Sequence, residues 1–131
     1  MWHLDSNIFI AILRGDRRLA RIVRSRIEEI AVSAFVVAEL RYGARRSAKP
    51  DHNLREVERV TSFAPVVPFD NECADTYSGL RLSLERRGRR AGETDMLIAS
   101  VALTHQATLV THNIKHFELI DGLQIEDWLS P

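Results

Sequence analysis

Ile30-Ala31-Val32-Ser33-Ala34-Phe35-Val36-Val37-Ala38-Glu39-Leu40 is the stretch from which the fold reads. Residues 30–32 are a short apolar run stopped by a polar serine, which reads as a buried strand. Ser33 is a good helix N-cap. Phe35, Val36, Leu40 and Tyr42 then recur at helical spacing, which predicts a helix ending between Gly43 and Lys49. The same alternation continues on both sides. Upstream, residues 2–5 read as a strand stopping at Asp5-Ser6-Asn7, residues 8–13 as a helix closed near Gly15, and residues 16–29 as a helix capped by Asp16. Downstream, Pro50-Asp51 opens a helix running to about Ser62, and Val66-Val67 is a strand between Pro65 and Pro68. Asp70 caps a long helix reaching Arg87, a loop rich in Gly and Arg spans 86–92, and Thr94 starts an Ala-rich helix ending near Gln106. Residues 108–111 are a strand, 113–117 a helical turn, and 123–125 a last strand, with Trp128 packing the tail. Strands alternating with helices predict an α/β domain with a mainly parallel sheet, here one domain over residues 1–131.

In such sheets ligands bind beyond the carboxyl ends of the strands. Asp5-Ser6-Asn7, Ser33 and Thr111-His112-Asn113 all fall there. Asp5 serves equally well as a helix N-cap, and Asp95 as an acid complementing the positive end of a helix dipole. Glu39 is harder to place: its helical neighbours Phe35, Val36 and Tyr42 predict an apolar face, where a carboxylate is costly unless paired or bound to metal. An ion pair with an arginine, or a place at the edge of that face reaching water, are the alternatives. Gathered at one end of a sheet, the three carboxylates would repel and raise each other's pKa unless a cation sat among them. Oxygen-only donors favour a hard ion, Mg²⁺ or Mn²⁺, suited to hydrolysing a phosphodiester. Glu39 is then the candidate for orienting or deprotonating water. His112 and His116 are spaced for one helix face, but a zinc site would need further ligands, so surface or capping roles are expected.

Hydrophobic content of 45% and charged content of 27% over 131 residues are those of an ordinary globular protein. Cys73 is the only cysteine, no apolar run approaches the roughly 20 residues of a membrane span, and Met1-Trp2-His3-Leu4-Asp5 is not a signal peptide, so a cytoplasmic protein is expected. Net charge is zero, yet 16 of the 18 basic residues are Arg and they cluster. The Arg86-Arg87-Gly88-Arg89-Arg90 loop, with Arg41 and Arg45, is a candidate phosphate-contacting surface; solvated faces are the alternative.

Four motifs resemble those of PIN-domain nucleases: Leu4-Asp5-Ser6-Asn7, then Ala38-Glu39-Leu40-Arg41-Tyr42-Gly43, then Gly92-Glu93-Thr94-Asp95-Met96-Leu97-Ile98-Ala99, then Leu109-Val110-Thr111-His112-Asn113 with His116-Phe117. The closing Gly122-Leu123-Gln124-Ile125-Glu126-Asp127-Trp128 is similar to VapC-type toxins. The resemblance implies a three-layer PIN fold, a mainly parallel sheet of four to five strands flanked by helices. It implies the toxin of a type II toxin–antitoxin system: an Mg²⁺-dependent endoribonuclease, Mn²⁺ also serving, acting on RNA (tRNA among the candidates). A cognate VapB-type antitoxin and a homodimer follow from the same resemblance. By position Asp5, Asp95 and Glu39 carry over as metal ligands and catalytic acids. Asn113 stands where many relatives have a further Asp, a neutral donor in a catalytic position, and Glu93 is an additional acid without an assigned role. A PIN-type nuclease of RNA maturation and a catalytically silent RNA- or protein-binding α/β module are the alternatives.

Overall fold

The computed structural model describes residues 1–130; Pro131, the last residue of the expected domain, lies outside them. Five short strands form one sheet: β1 (Trp2–Leu4), β2 (Ile30–Ser33), β3 (Val66–Val67), β4 (Thr108–Val110) and β5 (Ile125–Glu126), in the order β3-β2-β1-β4-β5. Every pairing is parallel, so the expected mainly parallel sheet is wholly parallel. Parallel strands need crossover helices, which bury both sheet faces. Accordingly all four residues of β2 are buried, including Ser33.

The crossovers are α1 (Ser6–Leu13) and α2 (Arg17–Ser25) after β1, α3 (Ala34–Arg45) and α4 (Pro50–Thr61) after β2, and α5 (Asn71–Arg86) and α6 (Glu93–Thr104) after β3. The short α7 (Ile114–Phe117) follows β4. Helix α1 packs on α2, α3 and α4, whereas α5 packs on α6. This is the division that right-handed crossovers impose when the strand order runs outward from β1 in both directions. Leu4, Ile8, Phe9, Leu19, Val32, Leu109 and Phe117 are wholly buried at the centre. Side-chain caps start four helices: Asp5, Asp16, Ser33 and Asp70 each accept from a backbone N–H of the first turn.

Several boundaries differ from expectation: α1 starts at Ser6, α6 at Glu93, and β4 ends at Val110. The helix expected over 16–29 stops at Ser25, and a 3₁₀ turn carries Ile27–Glu29. The cause is tertiary: the Arg26 guanidinium lies 4.8 Å from the ring centroids of both Trp2 and Trp128, which meet edge to face at 5.6 Å. The last strand is displaced from 123–125 to Ile125–Glu126, where it pairs with Leu109 and Val110.

Candidate functional site

From β1 the strand order moves one way to β2 and the other way to β4, so a crevice opens beyond the carboxyl ends of β1 and β4. Asp5 follows β1 directly, and Thr111 follows β4. Asp5 is 4% exposed. Its Oδ1 accepts from the Ser6 N–H at 2.8 Å, and its Oδ2 accepts from the Thr111 hydroxyl at 2.8 Å. The N-cap role and the buried site role thus coexist, one oxygen serving each. Burial pushes the Asp5 pKa up, against the lowering effect of the Thr111 and Ser6 hydrogen bonds and of the His116 charge.

Asp95 sits in the first turn of α6, half-buried, with His116 Nδ1 3.4 Å from its Oδ2. Burial raises its pKa, the His116 charge and hydrogen bond lower it, and the Asp5 charge raises it again. Glu39 lies in the second turn of α3 and lines a cleft of about 520 Å³ with Ser6, Arg14 and His52. Its pKa is raised first by partial burial, then by the negative charges of Asp5 and of Asp95. Each of the three acids is therefore harder to ionise than an isolated carboxylate, Asp5 chiefly through burial, Asp95 through burial and the Asp5 charge, and Glu39 through burial and the charges of both.

The expected apolar face around Glu39 is not formed. Glu39 is exposed, and Tyr42 next to it on the helix is 64% exposed. Helix α3 buries Val36, Val37, Leu40 and Ala44 instead, which rotates Glu39 to the edge of the covered face and into the crevice mouth. Nor do the acids converge tightly: among the described residues no three His, Cys, Asp or Glu side chains stand close enough to enclose an ion. Asp5 is turned to Ser6 and Thr111, Asp95 to His116. The donor set nevertheless fits a hard divalent cation. It is all oxygen, it is crowded with like charge, and the lone thiol, Cys73, is buried at the start of α5.

Asn113 is exposed at the start of α7, and its N–H donates to the Thr111 hydroxyl at 3.0 Å. One hydroxyl thus ties Asn113 to Asp5. Glu93 is exposed at the head of α6, with no ion-pair partner among the described residues. The two histidines diverge: His112 Nδ1 is 3.0 Å from Asp127, while His116 faces Asp95.

Three residues of this network were not assigned to the site by sequence reasoning. Asn7 accepts from the His112 N–H at 3.1 Å and donates to Thr111 at 3.3 Å, so it staples the β1 and β4 ends together. Thr111 is the hub of those bonds, and His116 is the imidazole facing Asp95. The polar runs after β1 and β4 were the available signal for Asn7 and Thr111. His116 was marked by its spacing from His112 and by the fourth motif, but not as a partner of Asp95, which it meets because α7 packs against α6.

The PIN domain family matches residues 3–123 of the chain. The chain is 41% identical over 99 residues to ribonuclease VapC2 of Rickettsia felis, covering 76% of this chain and 74% of that protein. It is 36% identical over 126 residues to the tRNA(fMet)-specific endonuclease VapC of Salmonella typhimurium, covering 95% and 96%. The crystal structure of DNA-bound VapBC from Salmonella typhimurium superposes with a TM-score of 0.93 at 31% identity, covering 97% of each chain.

Proposed function

The chain belongs to the PIN domain family, and on that footing we propose that it is a divalent-metal-dependent endoribonuclease, the toxin of a type II pair restrained by a VapB-type antitoxin. Relatives named ribonuclease and endonuclease, and a structural neighbour that is a VapBC complex, support this reading. The observation that carries it is the placing of Asp5, Glu39 and Asp95 around the crevice beyond β1 and β4, where Asp5 is buried between the two strand ends and the charges of both aspartates reach Glu39. Among the described residues no helix is long and apolar enough to cross a membrane.

Asp5, Asp95 and Glu39 are the residues that would hold Mg²⁺ or Mn²⁺. Bound there, the ion supplies positive charge against the phosphodiester and its departing oxygen. The chain's own groups do the rest. Thr111 and Ser6 fix the two oxygens of Asp5, and His116 fixes Asp95. Glu39, with its raised pKa and its place at the crevice mouth, takes the proton from the attacking water. Asn113 offers a neutral amide to the substrate or ion.

The test is cleavage of RNA, tRNA first, by the purified chain with Mg²⁺, Mn²⁺ or EDTA. Glu39→Gln should lose about a hundredfold or more in rate, the scale of a general base, and Asp5→Asn should abolish cleavage. Metal should raise the melting temperature of wild type and not that of Asp5→Asn. An Asp5→Asn protein that cuts like wild type would end this assignment.

A further inference from the structure

Net charge is zero, and the crevice itself is acidic, so an RNA backbone meets repulsion where it is to be cut. Some local positive surface has to hold it there. The turn between α5 and α6 carries such a surface.

Two of the five arginines near that turn are already committed, and Arg86, exposed and without an ion-pair partner among the described residues, does not line the cleft that the turn borders. Arg81 pairs with Glu85 at 3.2 Å, and Arg87 pairs with Asp121 at 3.0 Å. Arg89 and Arg90 are exposed and have no ion-pair partner among the described residues. They form the rim of a cleft of about 410 Å³ whose floor is Leu84 and Met96. The backbone beneath them is fixed. Gly88 takes φ +65°, its N–H donates to the Glu85 carbonyl at 3.0 Å, and the Arg89 N–H donates to the Leu84 carbonyl at 2.8 Å. This left-handed closure of α5 presents two guanidinium groups from a set turn.

The turn runs into the acid site: Gly92, two residues after Arg90, lies against the Asp95 carboxylate. Met96, in the cleft floor, directly follows Asp95, and a Cβ at Gly92 would stand 3.2 Å from that carboxylate. A strand crossing Asp95 has this turn as its neighbour on the α6 side. Guanidinium forks match phosphate oxygens in pairs, which an ammonium does not.

We propose that Arg89 and Arg90 form a phosphate subsite that grips the RNA backbone beside the bond being cut. The proposal rests on the ribonuclease reading above and gives the substrate its second anchor. The turn contributes affinity for RNA that extends past the acids, and nothing to the hydrolytic step.

The probe is a fluorescein-labelled single-stranded RNA of about 20 nucleotides, longer than one such site covers. Its binding to Asp5→Asn protein, with and without Arg89→Gln/Arg90→Gln, is followed by anisotropy over a range of salt. Removing two phosphate-binding charges should flatten the plot of log affinity against log salt by about 1.4, at roughly 0.7 per phosphate neutralised on a single strand. Arg89→Lys/Arg90→Lys should restore the slope, because charge sets it, while recovering only part of the affinity. In the otherwise wild-type enzyme the double glutamine variant should raise KM for this RNA about tenfold with kcat unchanged, and should cut a dinucleotide as wild type does. The control is Arg17→Gln/Arg21→Gln on α2, which removes equal charge elsewhere. An unchanged slope overturns the proposal, and so does an equal loss in the α2 control, which would mean a diffuse field. A fall in kcat at constant KM also overturns it, since the turn would then be bracing Asp95. Weakened antitoxin binding with unchanged RNA binding would assign the surface to a protein partner and overturn it too. If wild type cuts no RNA at all, the ribonuclease reading falls, and the salt slope still decides the subsite.

Discussion

Replacing His3 with leucine should remove a loss of stability that the wild-type fold suffers on acidification. His3 is 2% exposed in the middle of β1, and neither ring nitrogen has a hydrogen-bond partner among the described residues. Burial, then the charge of His105, whose ring centroid is 6.0 Å away, and then the N-terminal amine lower its pKa from 6.5 to about 4. Above pH 6.5 the ring is neutral in the folded and unfolded chains, and no penalty exists. As pH falls below that, the unfolded chain takes up a proton that the folded chain refuses, at about 1.4 kcal/mol per pH unit. Across the interval from 6.5 to about 4 the loss reaches about 3 kcal/mol, and it levels off once His3 protonates within the fold.

The site carboxylates act with the opposite sign. Their raised pKa values favour the metal-free fold at low pH and cost stability as pH rises through them. They are common to wild type and His3→Leu, so the difference between the two proteins isolates the imidazole. Leucine gives up no hydrogen bond, and an unpaired buried polar group costs about 1–3 kcal/mol, so the variant should be at least as stable near neutral pH. The assay is urea unfolding in EDTA at steps from about pH 7.5 to about pH 4.5. Parallel stability curves for the two proteins, or a His3 ring resonance titrating near 6.5 in the folded chain, would refute the reasoning.

Thr111→Val should keep the fold, since valine matches threonine in shape, yet lose about 10- to 100-fold in metal affinity or activity. The reason is that the Thr111 hydroxyl holds Asp5 and accepts from Asn113. Cleavage rate against metal concentration reads it, and wild-type behaviour would remove Thr111 from the site. Arg26→Ala should destabilise by about 1–2 kcal/mol, because it removes a cation–π interaction from each of two rings and leaves Trp2 and Trp128 facing each other. Denaturant unfolding near neutral pH decides it: a midpoint equal to wild type would make the stack a bystander.

Much of the architecture was legible because its signals are local. Ser33 and Asp70 were expected as caps and are caps, since a capping bond closes within three residues. The 86–92 loop was expected from its Gly and Arg content, and Gly88 adopts the left-handed backbone that ends α5. The Ser25 end of α2 was not legible: the residues through Glu29 keep helical spacing, and the helix yields where Arg26 lies over an edge-to-face pair of tryptophans from the two ends of the chain. The apolar face expected around Glu39 was misplaced for a related reason. Apolar neighbours show that α3 is amphipathic, but which side is covered depends on what packs there, and Tyr42 is left in water.

The sequence by itself determined the alternation of strand and helix and the polar stops at Asp5, Ser33 and Thr111, because periodicity and capping are energies of neighbours along the chain. It also determined the motifs by which a PIN domain is recognised. Tertiary structure alone decided the strand order that sets β4 beside β1, and with it the meeting of Asp5 with Thr111 and of Asp95 with His116. Those contacts join residues remote in sequence. Their geometry follows from crossover handedness and the burial of both sheet faces, which no local pattern encodes.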